Sequence, residues 1–337
     1  MKKNNIRIFL VGDYYSGTGP ANVTKYYKEN LPKGSFCQRF KAKSLRAVEM
    51  IFKIILSDVV CFSGYSKQNI LGLKISKKFS KPTAYIMHGC VEYENHINHQ
   101  DSEEMCQVER KTLEMVDRIF AVSPKFASWL KDFYPEEAKK VDYITNAIDD
   151  SLVKQSNNSN TEGHDKHIVF TVGGGMPRKK IKHICQAVDI LRENFDRELR
   201  LLVIGDTGAD SEIIDSYDFV DNKGLVDFET AKECYQKAGV FVQNSCFETF
   251  GLAFVEAVSL GCASLVSKEV GALCLVDNIR KEDIIEEYDN SYEIAEKIKG
   301  LIINSNNDYI RQNINWEQNS WKERSKILVE KLTMLVQ

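Results

Sequence analysis

Phe247-Glu248-Thr249-Phe250-Gly251-Leu252-Ala253-Phe254-Val255-Glu256-Ala257, running into Ser259-Leu260-Gly261-Cys262-Ala263, is the stretch on which the reading of this chain turns. Val240-Phe241-Val242 before it reads as a buried strand. The apolar run from Leu252 to Leu260 reads as a helix closed by Gly261. Glu248 then falls in the loop between strand and helix, and Glu256 inside the helix. A carboxylate among Val255, Ala257 and Val258 needs hydroxyl or amide donors, or a face open to a cleft, because an unpaired buried charge is costly. A sugar-rich ligand supplies such donors. The helix start at Phe250-Gly251-Leu252 offers free backbone N–H groups and the positive end of the helix dipole, a seat for phosphate.

Outward from this stretch, short apolar runs alternate with helical ones. Ile6–Gly12, Val59–Phe62, Thr83–Met87, Arg118–Val122 and Val141–Ile144 read as strands, and Ala21–Leu31, Ser102–Val116 and Pro124–Phe133 as helices. The polar run Lys154–Asp165 lacks apolar periodicity and reads as a linker. The alternation then restarts with Ile168–Gly173, Ile181–Phe195, Leu201–Gly205, Thr230–Ala238 and Val240–Val242, and Trp316–Val336 reads as a long amphipathic helix. Strand–helix alternation of this kind predicts α/β architecture with parallel, doubly wound sheets, in two Rossmann-like halves. The expected boundaries are 1–155 with about 317–337 for the first half, and 166–316 for the second.

At 337 residues, 43% hydrophobic and 28% charged, the chain has the size and balance of two soluble globular domains. No run approaches the ~20 apolar residues of a membrane span, and Ile6–Val11 is too short for a signal-peptide core. A cytoplasmic location is expected. The nine cysteines are odd in number and contain no C-x-x-C. Several lie in apolar segments (Cys61, Cys185, Cys262), so they read as reduced core thiols. Residues 1–155 hold 24 basic against 18 acidic side chains, an excess concentrated at Lys67, Lys74, Lys77, Lys78 and Lys81. Two readings stay open: a solvated lysine-rich helix face, or a surface facing an anionic membrane or lipid-diphosphate acceptor. No nucleic-acid partner is expected.

The pattern of Ser245, Phe247-Glu248, Phe250-Gly251-Leu252, Glu256-Ala257, Gly261 and Val270-Gly271 resembles the Glu-x7-Glu signature of retaining, nucleotide-sugar-dependent glycosyltransferases of the GT-B fold, family 4. That resemblance implies two Rossmann-like domains facing a central cleft, with a C-terminal helix returning to the first. Asp117–Ser123 and Ile144-Thr145-Asn146-Ala147-Ile148-Asp149 resemble further segments of the family. Gly173-Gly174-Gly175-Met176-Pro177-Arg178-Lys179-Lys180 is similar to its strand-to-helix turn, with Lys179 at the donor-phosphate lysine. The turn departs from the family in two places. Gly174 stands where an arginine is usual, and Lys180 where a glycine is. Arg178 or Lys180 is expected to supply part of the missing charge. The glycines make no GxGxxG fingerprint, which disfavours a dinucleotide dehydrogenase.

Gly12–Asn22 resembles the family's glycine-rich first loop, with Gly17 or Gly19 expected against the diphosphate. His88, after the strand Thr83–Met87, resembles the histidine near the transferred sugar. His88, His96 and His99 match no standard metal spacing. The absence of Asp-x-Asp disfavours the metal-dependent GT-A class, so neither metal nor cofactor is expected.

The resemblance implies catalytic roles for Glu248, His88 and Lys179. It implies donor binding by Gly17, Gly19, Gly174, Arg178, Lys179, Phe250, Gly251, Leu252 and Glu256. The implied reaction moves a hexose-type sugar from a nucleoside-diphosphate donor, UDP before GDP, to a glycan or lipid-linked acceptor. Bacterial surface polysaccharide or glycolipid synthesis, on the inner face of the plasma membrane, is the implied setting. Alternatives are a GT-B sugar-nucleotide epimerase and a non-catalytic sugar-nucleotide-binding or scaffolding paralogue.

Overall fold

The structure is a computed structural model that describes residues 6–40, 43–149, 152 and 163–337. The basic N-terminal residues 1–5 and most of the expected linker, residues 154–162, lie outside the described residues. The chain divides into two compact units. The first gathers the chain up to Tyr93, Ser102–Ala147 and Gln318–Gln337, and the second Glu94–Asp101 and Ile148–Glu317.

In the first unit the elements follow as β1 (Ile8–Gly12), α1 (Gly19–Glu29), β2 (Phe36–Cys37), α2 (Lys43–Leu56), β3 (Val59–Ser63), α3 (Lys67–Lys78), β4 (Thr83–Met87), α4 (Val91–Asn98, whose last residues count with the second unit), α5 (Glu103–Met115), β5 (Arg118–Ala121), α6 (Pro124–Phe133) and β6 (Val141–Tyr143). The strands form one parallel sheet in the order β2-β1-β3-β4-β5-β6. Val59–Ser63 and Thr83–Met87 are buried along their whole length, as expected of strands covered by helices on both faces. Hydroxyl caps start the helices: Thr18 for α1, Ser66 for α3 and Ser123 for α6, the first and last followed by proline at the opening turn.

The second unit runs β7 (Asp165–Val172), α7 (Ile181–Asn194), β8 (Arg200–Ile204), α8 (Ser211–Asp215), β9 (Val220–Asn222), α9 (Phe228–Lys237), β10 (Ala238–Gln243), α10 (Leu252–Ser259), β11 (Ala263–Ser267), β12 (Ile284–Ile285), α11 (Ser291–Ile303) and α12 (Asn307–Gln312). Its sheet has the order β12-β11-β10-β7-β8-β9, again parallel. Val169, Leu201, Val240 and Leu265 from the strands meet Ile184, Val188 and Ile298 from the helices in one buried core. Strand order reverses between β1 and β3 in one sheet and between β7 and β10 in the other. In open α/β sheets such reversals leave a crevice beyond the strand C-terminal ends.

The last helix, α13 (Trp321–Val336), belongs to the first unit. Trp321 stacks on Tyr26 of α1 at 4.8 Å between ring centres and meets Tyr27 edge-on. Lys331 donates to Asp142 at 2.5 Å. The nine cysteines are all free thiols.

Candidate active site

In the second unit the site grows from the two loops at the strand reversal. The loop after β10 is pinned along its length. Cys246 N–H donates to Arg178 O, Gly271 N–H to Glu248 O, and Ala272 N–H to Phe250 O. Ser267 Oγ donates to Ser245 O. Gly251 closes the loop at φ +97° and leads into α10. A side chain there would press on Val270 and Gln243, so only glycine meets both demands. The consequence is that the first-turn amides of α10, at Gly251, Leu252 and Ala253, stand at a fixed place beside Glu248.

Glu248 is the centre of the cluster. Its Oε2 accepts from Lys179 Nζ at 2.5 Å and from Gln243 Nε2 at 3.0 Å, and Arg178 Nη1 lies 3.8 Å away. The three charged side chains are only 11–16% exposed. Burial pushes the Glu248 carboxyl up, but the Lys179 ammonium and the Arg178 guanidinium outweigh it and hold the group below its ordinary value. Enclosure lowers Lys179 in turn, with Glu248 working against the shift. Arg178 also approaches Glu94 at 3.5 Å, and its backbone N–H donates to Asn98 Oδ1. Two cations thus meet two carboxylates, Glu248 and Glu94, in a balanced cluster whose cations an incoming anion could share.

Glu256, one turn into α10, accepts from Tyr235 Oη at 3.0 Å. Burial raises its carboxyl; the Tyr235 hydrogen bond opposes that shift and Asp149 adds to it. Tyr235 on α9 and Asp149 at the entry to the second unit are partners that the Glu-x7-Glu spacing does not reveal.

The glycine turn resolves the two departures from the family differently. Gly174, at φ +55°, is buried, and its N–H donates to Ile204 O. A Cβ built on it would lie 2.0 Å from Asp206 O. Gly173-Gly174-Gly175 and Gly205-Asp206-Thr207-Gly208 therefore pack backbone against backbone, and an arginine side chain has no room at 174. Of the two candidates for the missing charge, Arg178 reaches Glu248. Lys180 does not: its Nζ pairs with Asp289 at 2.8 Å. Its φ of +53° caps α7 in the left-handed conformation that glycine takes most readily.

In the first unit, α1, β3 and β4 bring a chain of polar groups together at the C-terminal ends of the strands. Thr24 Oγ1 lies 2.7 Å from Ser63 Oγ, which lies 2.9 Å from His88 Nε2. Burial lowers the imidazole to about 4, so it is neutral at physiological pH. Gly17 and Gly19 are exposed, the first at φ +73°. Thr18 between them caps α1. Ser63 and Thr24 carried no sequence signal, since hydroxyls at strand and helix positions are ordinary. Among the described residues no cluster of His, Cys, Asp or Glu is placed to hold a metal ion.

Residues 153–319 match the family model of the glycosyl transferases group 1. The group 1 match contains both glutamates, the glycine turn, Arg178 and Lys179. No curated protein sequence matches the chain. In fold the chain is similar to Anabaena HepE solved with UDP and glucose (TM-score 0.69, 13% identity, 98% of this chain and 100% of the other). It is also similar to the UDP-forming α,α-trehalose-phosphate synthase of Burkholderia xenovorans solved with glucose-6-phosphate (0.67, 10%, 97% and 99%). A third similar structure is the sucrose-phosphate synthase of Thermosynechococcus elongatus (0.62, 17%, 97% and 96%). The architecture, two parallel six-stranded α/β sheets, is that of GT-B glycosyltransferases.

Proposed function

We propose that this protein is a retaining glycosyltransferase of family 4 that moves a hexose-type sugar from a nucleoside-diphosphate donor to a hydroxyl of a glycan or lipid-linked acceptor. The observation that carries the reading is the convergence of Lys179 and Arg178 on Glu248 beside the first turn of α10. UDP is favoured over GDP, because HepE is described with UDP and the trehalose-phosphate synthase is UDP-forming. The second unit takes the donor and the first reads the acceptor.

In this reading the diphosphate lies against the amides of Phe250-Gly251-Leu252, with Lys179 and Arg178 neutralising its charge. Glu248 accepts hydrogen bonds from the sugar hydroxyls, and Glu256 from the ribose hydroxyls. The bond from the anomeric carbon to the phosphate oxygen breaks as the cations and amides stabilise the departing diphosphate. The acceptor oxygen bonds to the same face of the sugar, and its proton passes to the leaving phosphate. The imidazole of His88 in the first unit, kept neutral by burial, acts as a hydrogen-bonding group and carries no charge. No metal ion or cofactor enters the step.

Gly174 gives no support to a degenerate, non-catalytic member, since an arginine has no room there and Arg178 brings a guanidinium to the same cluster. The test pairs thermal shift with turnover, using UDP, GDP, ADP and their common sugar conjugates. Stabilisation by one nucleotide that survives EDTA and is lost in Glu256→Ala is expected. With the matching sugar conjugate, turnover should fall ~100-fold or more in Glu248→Gln. Binding without transfer to any of a broad set of acceptors would move the protein to the binding-only class. Isomerisation of the intact sugar nucleotide without acceptor would make it an epimerase.

A further inference from the structure

The helix α2 faces outward with its apolar side. Leu45, Val48, Ile51, Phe52, Ile55 and Leu56 are all exposed, Phe52 by 64% and Val48 by 53%. Soluble helices ordinarily turn such a stripe inward and leave their charges in water. Here the charges are used on the opposite side. Glu49 is buried and accepts from the backbone N–H groups of Arg39 and Phe40. Lys53 bonds to Glu49 and to Cys37 O, and Arg46 donates to Gln38 Oε1 at 2.7 Å. These contacts sew the polar face of α2 to the edge strand β2. Met50 and Ile54 alone of its large apolar residues are fully buried. A contiguous exposed apolar surface of this kind marks an interaction site.

Charge beside it selects the occupant. The neighbouring helix α3 packs tightly on α2, since a Cβ at Gly72 would lie 2.5 Å from Met50 Cε. It presents Lys74, Lys77 and Lys78 to solvent, with Leu71 and Phe79 exposed among them. From Lys43 to Lys78 the chain carries seven basic and two acidic residues, and one of the two acids is the buried Glu49. A second copy of this chain docked through the same face would set lysines against lysines. An anionic lipid surface accepts both components, the apolar row in the acyl boundary and the lysines at the headgroups.

We propose that α2, flanked by the lysines of α3, is a docking surface for an anionic lipid bilayer, on which the protein lies without crossing it. No helix among the described residues is long and apolar enough to span a membrane. The proposal does not rest on the glycosyltransferase reading, and its test uses no sugar nucleotide.

The experiment is co-sedimentation of the full chain with phosphatidylcholine vesicles with and without phosphatidylglycerol, alongside sedimentation velocity without lipid. Pelleting with the anionic vesicles and not with phosphatidylcholine alone is expected. Val48→Glu with Phe52→Glu should weaken binding at least ~10-fold, equivalent to ~1.4 kcal/mol. Lys74→Glu with Lys78→Glu should do the same, and added salt should weaken the unaltered protein. Unchanged melting temperatures would show that both double variants fold, as expected of exposed positions. No pelleting with anionic vesicles would overturn the proposal, as would unchanged pelleting of the Val48/Phe52 variant. A dimer in lipid-free solution that the Val48/Phe52 variant dissolves would assign the face to a second copy instead.

Discussion

A carboxylate enclosed as tightly as Glu248 stays ionised because two cations reach it, and that balance is measurable. Removing the charge alone in Glu248→Gln leaves Lys179 enclosed without its partner, at a cost of about 3–5 kcal/mol. Removing both charges, in Glu248→Gln with Lys179→Met, should cost less than the sum of the single changes. Urea unfolding of the four proteins in a double-mutant cycle checks this. His88 carries a pH prediction. Its folded value of about 4 lies below the 6.5 of an unperturbed imidazole, so between these values the unfolded chain binds the proton and the folded chain does not. Stability should therefore fall as pH drops from about 6.5 to 4, by up to ~3 kcal/mol. His88→Gln should flatten that part of the curve, measured by urea unfolding at intervals of pH. At this scale the sequence shows the residues but not their partners. Glu248 and Glu256 are legible because they share one loop–helix junction. Lys179, Gln243 and Tyr235 reach them from other elements, and nothing in local spacing says which oxygen each will meet.

The glycine turn shows what an element adds. By sequence, Gly174 is an arginine lost. In the structure it is a position where two loops touch backbone to backbone, which the spacing of glycines in either loop does not disclose. Gly174→Ala should therefore destabilise the second unit by about 3 kcal/mol or more, because its Cβ meets a carbonyl that cannot move aside and its φ is positive. Gly174→Arg should do at least as much harm and bring no gain in turnover. Equilibrium unfolding and a donor-turnover assay on each variant check the pair. The strands were legible to within a few residues, since Val59–Phe62 or Leu201–Gly205 are apolar runs of strand length. Pro124–Phe133 was legible as a helix from Ser-Pro at its start. Lys43–Leu56 was not singled out, although Arg46, Glu49 and Lys53 recur on one face at helical spacing; what the sequence does not disclose is that this polar face turns inward to the edge of the sheet.

Each unit has its own sheet and its own buried core, so heat or denaturant should unfold the molecule in two transitions. If the donor binds the second unit, UDP should raise one transition and leave the other unmoved, by about 2.7 kcal/mol at a hundredfold excess over Kd. Trp321→Ala removes the indole stacked on Tyr26 and should lower the other transition, costing about 3–5 kcal/mol. Differential scanning calorimetry with and without UDP separates the two effects. A single transition moved by both changes would mean that the units unfold together. The repeat of the βα pattern on either side of residues 154–165 made a two-part molecule legible. The inclusion of Glu94–Asp101 with the second unit was not, because the contacts that decide it run to Arg178, 80 residues away.

The return of α13 to the first unit also orders events at the ribosome. Strands β1 to β6 emerge first, but the face that Tyr26 and Tyr27 offer to Trp321 stays uncovered until translation passes the end of α13. The second unit, which apart from Glu94–Asp101 is continuous from Ile148 to Glu317, precedes α13 in synthesis and can begin to fold while the earlier half still waits for its last helix.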